Sequence, residues 1–178
     1  SGQLPASAKR AILRAQKKGS LCFVNTGRPY SHLVPAVRAI PFDGYICSCG
    51  QYILIHNQPL VHAGFTHKEA QKIASLVRLC NMDVICTVIE REGNLLELVR
   101  IGYSKETGIQ AVIDYLGVPI DHTYALGDST NDLPMLHCTA HSIAMGNAPS
   151  AVKQTAEYVT QTAENDGVAA ALAHYGLI

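Results

Sequence analysis

The chain has 178 residues, a formal net charge of zero at pH 7 and an apolar fraction of 48%. This length favours one domain, with or without a small insertion, and the apolar content is ample for a packed core. The neutral balance and the absence of a basic run argue against a nucleic-acid or membrane-surface partner. No apolar run is long enough to cross a bilayer.

The six cysteines show no C-x-x-C spacing, and three of them, Cys22, Cys47 and Cys86, lie inside apolar, strand-like runs. This distribution is typical of reduced, buried thiols rather than of a zinc or redox site. Because thiols stay reduced in the cytosol, we expect a cytoplasmic protein.

Hydrophobic periodicity and turn residues predict helices and strands in alternation. The first part of the chain is predicted to contain a helix at 5–18, a strand at 21–27, a helix at 31–40 that Pro35 can kink, and strand segments over 43–62 with a turn at 57–59. The middle is predicted to contain a helix at 66–80 opened by a capping box, and strands at 83–89 and 95–101. The last part is predicted to contain a helix at 104–117, a strand at 122–128, a helix at 131–139, a strand at 142–146, a helix at 148–156, an edge strand at 158–161 and a helix at 166–176.

Strands that alternate with helices indicate an α/β fold with a doubly wound, parallel, Rossmann-like sheet. The middle of the chain interrupts this pattern and has the character of a small inserted α/β unit. In doubly wound sheets, ligands bind at the carboxyl ends of the strands. Two polar clusters lie at predicted strand ends, at 26–28 and at 127–132.

The second cluster consists of Gly127 followed by five polar residues, 128–132. A helix cap needs one such residue, so the surplus favours a binding site over capping alone. The carboxylates of Asp128 and Asp132 suit Mg²⁺, which takes one or two carboxylates together with water and substrate phosphate. The amide of Asn131 can donate to a phosphate oxygen.

Two other features can bind phosphate. Thr26, Gly27 and Arg28 follow a strand, where a hydroxyl and an exposed N–H suit phosphate oxygens, although a plain strand-to-loop turn has the same composition. Lys105 lies in the first turn of a helix, where the macrodipole does not favour a cation. Binding of a phosphate would explain its position, and a solvated surface lysine is the alternative.

Taken together, these stretches resemble the haloacid dehalogenase (HAD) superfamily of phosphatases, and within it the Cof-type group with an α/β cap. The second motif of that family is similar to FVNTGRPY at 23–30 and its third to the Ser104-Lys105 pair. Its fourth motif, the most specific of them, is similar to GDSTNDLPML at 127–136. The stretch NDGVAAALAHYGL at 165–177 also resembles the usual ending of the Cof-type group.

The resemblance implies a HAD core with a small α/β cap and Mg²⁺-dependent transfer of a phosphoryl group to an aspartate. Hydrolysis of the aspartyl phosphate would follow, with a small phosphorylated metabolite as the substrate. The implied roles are metal binding by Asp128, support of the metal site by Asp132, phosphate binding by Thr26, Gly27, Arg28 and Asn131, and neutralisation of charge by Lys105.

The first motif of the family is a strand that ends in D-x-D-G-T and supplies the nucleophile, and the sequence does not contain it. We therefore expect a HAD core at 1–63 without its nucleophile strand, a shortened cap at 64–94, and the rest of the core at 95–178. We also expect a longer natural chain, with segments before Ser1 and near 89–94. Two other functions stay open. One is a non-catalytic phosphate- or metabolite-binding module, and the other is a phosphomutase-like phosphotransferase on the same scaffold.

Overall fold

The computed structural model describes residues 4–79 and 99–178. The helices in these residues are α1 (Ala6–Lys17), α2 (Pro35–Arg38), α3 (His67–Leu79), α4 (Lys105–Leu116), α5 (Leu133–His137), α6 (Ser150–Thr155) and α7 (Gly167–His174). The strands are β1 (Phe23–Asn25), β2 (Gly44–Cys47), β3 (Tyr52–Ile55), β4 (Gln58–His62), β5 (Tyr124–Gly127), β6 (His141–Ala144) and β7 (Tyr158–Val159). Within the described ranges, no helix combines the length and the apolarity that crossing a membrane requires.

The strands form two sheets. In the first sheet β1 runs parallel to β2, and β2, β3 and β4 continue as an antiparallel meander. In the second sheet β5, β6 and β7 are all parallel. Within the described part of the chain, β1 and β5 are each paired with one neighbouring strand. The predicted α/β fold with parallel strands and helices is confirmed, and the meander adds an antiparallel edge to it.

Helix α4 joins the cores of the two sheets. One apolar cluster is built around Ile46 and Ile53 of the first sheet, and another around Ala125 and Ala144 of the second. Ile109 of α4 packs against both clusters. Full burial of an aliphatic side chain of this size contributes about 1.5–3 kcal/mol, and the half-buried Ile109 gains part of that by packing on both sides.

The start of α4 is fixed by a reciprocal cap. Ser104 Oγ accepts the N–H of Thr107 at 3.1 Å, and Thr107 Oγ1 accepts the N–H of Ser104 at 2.8 Å. These bonds satisfy two N–H groups that have no partner within the helix. The helix predicted at 104–117 is thereby confirmed, with Gly117 directly after its last residue.

The helix predicted at 31–40 is wrong in its extent. The structure has a 3-10 turn at Tyr30–His32, then extended residues, and then the short helix α2, which begins at Pro35. Proline has no N–H to donate and its φ suits a first helical position, so it starts this helix rather than kinking a longer one.

The turn predicted at 57–59 lies one residue earlier. His56 and Asn57, with φ of 48° and 63°, connect β3 to β4, and both Gln58 and Pro59 belong to β4. Two central residues with positive φ match the right-handed twist of a tight hairpin. Pro59 is tolerated because β4 is the last of the described strands of its sheet.

The capping box predicted for the helix at 66–80 is confirmed at the start of α3. Glu69 Oε2 accepts the N–H of Thr66 at 2.8 Å, and Thr66 Oγ1 accepts the N–H of Glu69 at 3.3 Å. The predicted strand at 83–89 lies outside the described residues, and so does most of the one at 95–101.

The amino ends of β5, β6 and β7 meet the end of α7 in a group of aromatic rings, here named the ring cluster. Its members are Tyr124, His141, Tyr158, His174 and Tyr175. Tyr124 stacks on His141 with centroids 4.6 Å apart, and Tyr158 stacks on His174 at 3.9 Å. Tyr175 lies edge-on to Tyr124 and His174, so it connects the two stacks.

Candidate functional site

The loop after β5 is organised by Asp132. One oxygen of its carboxylate, Oδ2, accepts the N–H groups of Asp128 and Ser129 at 2.9 and 3.0 Å. The side chain of Asp132 fits there because residue 127 is glycine. A Cβ at Gly127 would lie 2.7 Å from the Cβ of Asp132, which is closer than real contacts allow. The predicted strand end and the polar loop therefore form one rigid unit.

Lys105 is a partner of this loop rather than a surface side chain. Its Nζ donates to Oδ1 of Asp132, and the two side chains are only 7% and 6% exposed. The carboxylate offsets the unfavourable position of a cation in the first turn of α4. Because a buried charge without a partner is costly, the ion pair holds α4 and the loop together.

Asp128 and Asn131 are two groups of the loop that remain available to a ligand. Asp128 is exposed, and its carboxylate has no hydrogen-bond partner among the described residues. Asn131 Oδ1 accepts the hydroxyl of Ser129, which fixes the orientation of the amide. Its Nδ2 is then buried without a partner in the described part of the chain. A buried N–H donor in this position requires an acceptor, and an anionic oxygen would satisfy it.

The segment Thr26–Arg28 follows β1. Thr26 Oγ1 accepts the N–H of Arg28 at 3.1 Å, which shapes the turn, and the side chain of Arg28 is exposed. Thr26 is half-buried and Gly27 is buried. Residues 26–28 thus form a strand-to-loop turn, and this turn leaves the Arg28 guanidinium accessible to a ligand.

Asn25 connects β1 to the helix that carries Lys105, and sequence reasoning missed it. Its Nδ2 donates to the main-chain oxygen of Lys105 at 3.1 Å, and its Oδ1 is buried without a partner in the described ranges. The signal was present, since Asn25 is a polar residue within an apolar strand. Through Asn25, Lys105 and Asp132, the three predicted stretches form one connected set of contacts.

The donor set fits Mg²⁺ through Asp128. Both oxygens of Asp132 already accept hydrogen bonds, whereas those of Asp128 do not within residues 4–79 and 99–178. No group of three or more His, Cys, Asp or Glu side chains with metal-binding geometry occurs in the described residues. One carboxylate together with water and substrate phosphate is a usual environment for Mg²⁺.

Thiol chemistry is not favoured at three of the described cysteines. Burial raises the pKa of Cys47 to about 12. Burial, followed by the charge of a neighbouring carboxylate, raises the pKa of Cys22 and of Cys138 to about 11 each. Since the thiolate is the reactive form, these three thiols are poor nucleophiles at neutral pH.

The chain belongs to the haloacid dehalogenase-like hydrolases. The sequence profile of that family matches residues 1–89 and 76–172, which together cover most of the chain. The resemblance seen in the motifs is therefore confirmed.

Among curated proteins, the chain is 44% identical over 82 residues to a 5-amino-6-(5-phospho-D-ribitylamino)uracil phosphatase of Bacillus subtilis. It is 34% identical over 82 residues to a phosphoglycolate phosphatase of Methanothrix thermoacetophila. These matches cover 46% of this chain in both cases, and 30% and 37% of the two relatives. The matched part thus spans about a third of the length of these relatives.

Solved structures of the HAD superfamily share the fold. A HAD-superfamily phosphatase from Bacteroides thetaiotaomicron superposes with a TM-score of 0.83 at 22% identity, over 99% of this chain and 89% of that one. A sugar phosphatase of HAD subclass IIB gives a TM-score of 0.84 at 22% identity, over 99% and 93% of the two chains. At this level of identity the likeness establishes the architecture.

Proposed function

We propose that the protein is a phosphatase that hydrolyses a small phosphorylated metabolite with Mg²⁺. The observation that carries the proposal is the buried, unpartnered Nδ2 of Asn131 in the loop that also presents the exposed Asp128. The paired Lys105 adjoins the same loop. A hydrogen-bond donor, a metal-binding carboxylate and a cation are the groups that stabilise a phosphoryl group in transfer.

Each group has a distinct role in this proposal. Asn131 donates to a phosphoryl oxygen, while Thr26, the Gly27 N–H and Arg28 bind the other phosphoryl oxygens at the end of β1. Lys105 offsets negative charge and stays placed by Asp132. When bound at Asp128, Mg²⁺ supplies Lewis-acid stabilisation of the phosphoryl oxygens.

The nucleophile of the proposed reaction is an aspartate outside these 178 residues, because they contain no D-x-D-G-T stretch. A strand that carries it would lie between β1 and β5, each of which pairs with one neighbour in the described part of the chain. One carboxylate oxygen forms a bond to phosphorus as the ester P–O bond breaks and the alcohol leaves. Water then cleaves the aspartyl phosphate, which releases inorganic phosphate and restores the carboxylate.

The proposed domain division keeps the core at 1–63 and 95–178 and the inserted cap at 64–94. It is supported by the sheets, since the first ends with β4 at His62 and the second begins only after α4. The described part of the insertion contains α3, and residues 80–98 are not described.

The test is hydrolysis of p-nitrophenyl phosphate by the full-length natural protein, with Mg²⁺ or with EDTA. We expect turnover that requires Mg²⁺, and the same conditions then apply to a panel of phosphate monoesters. The names of the relatives make sugar and ribityl phosphates the first compounds to test. Absence of hydrolysis of every ester in the presence of Mg²⁺ would rule out the phosphatase.

A second candidate is a phosphate-binding module without catalysis, which the missing D-x-D-G-T stretch favours. Titration with inorganic phosphate separates the two. Saturable binding by a full-length protein that hydrolyses no ester would support the module. Transfer of the phosphoryl group to a second sugar phosphate would instead indicate a phosphomutase-like enzyme.

A further inference from the structure

The turn between β2 and β3, residues 48–51, contacts the segment that follows β1. The N–H groups of Ser48 and Cys49 donate to the main-chain oxygens of Arg28 and Thr26, at 3.1 and 3.2 Å. Ser48 and Cys49 have φ of 49° and 51°, a region that residues with a Cβ adopt rarely. Such a conformation persists where the surroundings hold it, so the 48–51 turn is fixed by its contacts.

The same turn lies against the start of α4. A Cβ at Gly50 would be 2.7 Å from the main-chain oxygen of Ser104 and 3.2 Å from the Cα of Gly108. Glycine allows this approach because it has no Cβ. It also suits the backbone at position 50, where φ is positive, at 84°. This contact therefore fixes the distance between the 48–51 turn and the start of α4, the helix that carries Lys105.

Gln51 connects this turn to both ends of the inserted segment. Its side chain is buried, and Nε2 donates to the main-chain oxygen of Ser48 at 3.1 Å. Its Oε1 accepts the N–H of Arg100 at 3.1 Å, where the chain returns towards α4. Its main-chain oxygen accepts the N–H of Ala63 at 2.8 Å, where the chain leaves β4. Gln51 therefore bonds to the chain both where it leaves β4 for the inserted segment and where it returns towards α4.

Arg100 extends the connection to α3. Its Nη2 donates to Glu69 Oε2 at 2.7 Å and to the main-chain oxygen of Gly64 at 3.3 Å. Its guanidinium lies 4.9 Å from the ring centre of Phe65. The hydrogen bonds from Thr66, followed by the charge of Arg100, lower the pKa of Glu69, so the carboxylate stays ionised at neutral pH.

We propose that Gln51 is a positioning residue for the phosphate site. Its buried amide links the attachment of the inserted segment to the 48–51 turn, and through that turn to Thr26 and to the helix of Lys105. The catalytic part of this inference rests on the proposed phosphatase function, and the structural part does not. If Gln51 only stabilised its own neighbours, its removal would affect the N–H of Arg100 and not the segment after β1.

The experiment compares the full-length natural protein with Gln51→Met, which keeps the length of the side chain and removes both polar atoms. Amide hydrogen exchange is expected to accelerate at the N–H groups of Ser48 and Cys49, although the side chain of Gln51 does not accept from them. The KM for p-nitrophenyl phosphate and the inhibition constant of inorganic phosphate are expected to rise together by about three- to tenfold, as for one net hydrogen bond. The kcat is expected to change less.

Two further variants keep the test decisive. Gln51→Glu retains the acceptor for the N–H of Arg100 and loses the donor to Ser48. Amide exchange at Arg100 should therefore stay slow, while exchange at Ser48 and Cys49 should still accelerate. If Gln51→Met does not fold, Gln51→Glu decides the question. Gln110→Ala is the matched control, because it removes an exposed glutamine that bonds to Asp114 on α4. It should leave both readouts unchanged.

Faster exchange at Arg100 alone, with an unchanged inhibition constant for phosphate, would overturn the inference. If the parent protein hydrolyses no ester, the proposed function fails. The positioning role is then decided by hydrogen exchange and by titration with inorganic phosphate, so the two failures can be told apart.

Discussion

The two ends of the β5–β7 sheet use different chemistry. At the carboxyl end, charged side chains are bonded to backbone N–H groups and to one another, as in the Asp132–Lys105 pair. At the amino end, the ring cluster fills the same width of the sheet with stacked tyrosines and histidines. One end is built around charge and available donors, and the other around contact between ring faces.

The difference shows where a ligand site can arise. Donors at the carboxyl end include one, Asn131 Nδ2, that has no partner in the described residues. At the amino end, His141 Nδ1 lies 3.0 Å from Glu157 Oε2, and the hydroxyl of Tyr175 is buried without a hydrogen-bond partner among the described residues. What distinguishes the carboxyl end is the exposed carboxylate of Asp128 in the same loop as that donor, and in parallel sheets the carboxyl ends bind ligands. Changes at each end should therefore have separable effects.

The largest effect is expected from Asp132→Asn. The amide cannot pair with Lys105 while its oxygen accepts the N–H groups of Asp128 and Ser129, so the buried cation loses its partner. Breaking a buried pair in this way costs about 3–5 kcal/mol of unfolding free energy, measured by urea denaturation. Catalysis should be lost as well.

A double-mutant cycle with Lys105→Met tests the cause of this loss. The double variant should be less destabilised than the sum of the two single changes, because neither buried charge is then left alone. Additive effects, or a cost below about 1 kcal/mol for Asp132→Asn, would contradict the role of the pair.

Asp128→Asn should separate activity from stability at the carboxyl end. The side chain is exposed and bonds to no described residue, so the unfolding free energy should change by less than about 0.5 kcal/mol. Hydrolysis of p-nitrophenyl phosphate by the full-length protein should fall by about 100-fold or more, because a group that stabilises the transferring phosphoryl is lost. Retained turnover would remove Asp128 from the site.

At the amino end, His174→Ala should reduce stability and leave phosphate binding intact. The change removes the stack on Tyr158, in which the ring planes differ by 2°, and such a pair is worth about 1 kcal/mol. Thermal denaturation measures the loss, and His137→Ala, at an exposed histidine without a ring contact in the described part of the chain, is the control. A changed inhibition constant for phosphate would show that the two ends are coupled.

The smallest effect is expected from Tyr175→Phe at alkaline pH. Burial, and then the charge of Glu157, raise the pKa of Tyr175 in the folded protein. A raised pKa means that the proton is held more tightly in the folded than in the unfolded chain. The associated stability is therefore full below the unfolded value, near 10, and is lost as the pH rises through the folded value.

The Tyr175→Phe variant should lose less stability between pH 9 and pH 12 than the parent, as measured by urea denaturation at each pH. The comparison between the two proteins removes the contribution of the other titrating groups. Identical pH profiles would show that the phenol of Tyr175 is not perturbed by the ring cluster.

The sequence was sufficient to predict the α/β class and the loop at 127–132. Strand-end position and the clustering of polar residues are local features, so Asp128, Asn131 and Asp132 could be found without coordinates. The metal and phosphate roles assigned to them stay predictions. What local reasoning could not provide was the pairing of Lys105 with Asp132, which are 27 positions apart.

The elements that were missed depend on distant or unusual backbone geometry. Gln51 lies in a turn that residue types alone did not distinguish, and its partner Arg100 is 49 positions away. Asn25 was missed because it lies at the end of the apolar run that forms β1. The β3–β4 turn uses positive φ at His56 and Asn57, which sequence patterns signal weakly when no glycine is present.

Ile109 packs against the cores of both sheets and stands one helical turn after Lys105. A poorly packed substitution in either core can therefore tilt the same turn of helix and disturb the ion pair at its start. Loss-of-function variants should accumulate at apolar positions that no ligand touches, and a map of harmful substitutions would outline α4 as well as the loop. For the interpretation of natural variants of this protein, distance from the proposed phosphate site is a poor guide to whether a substitution is harmless.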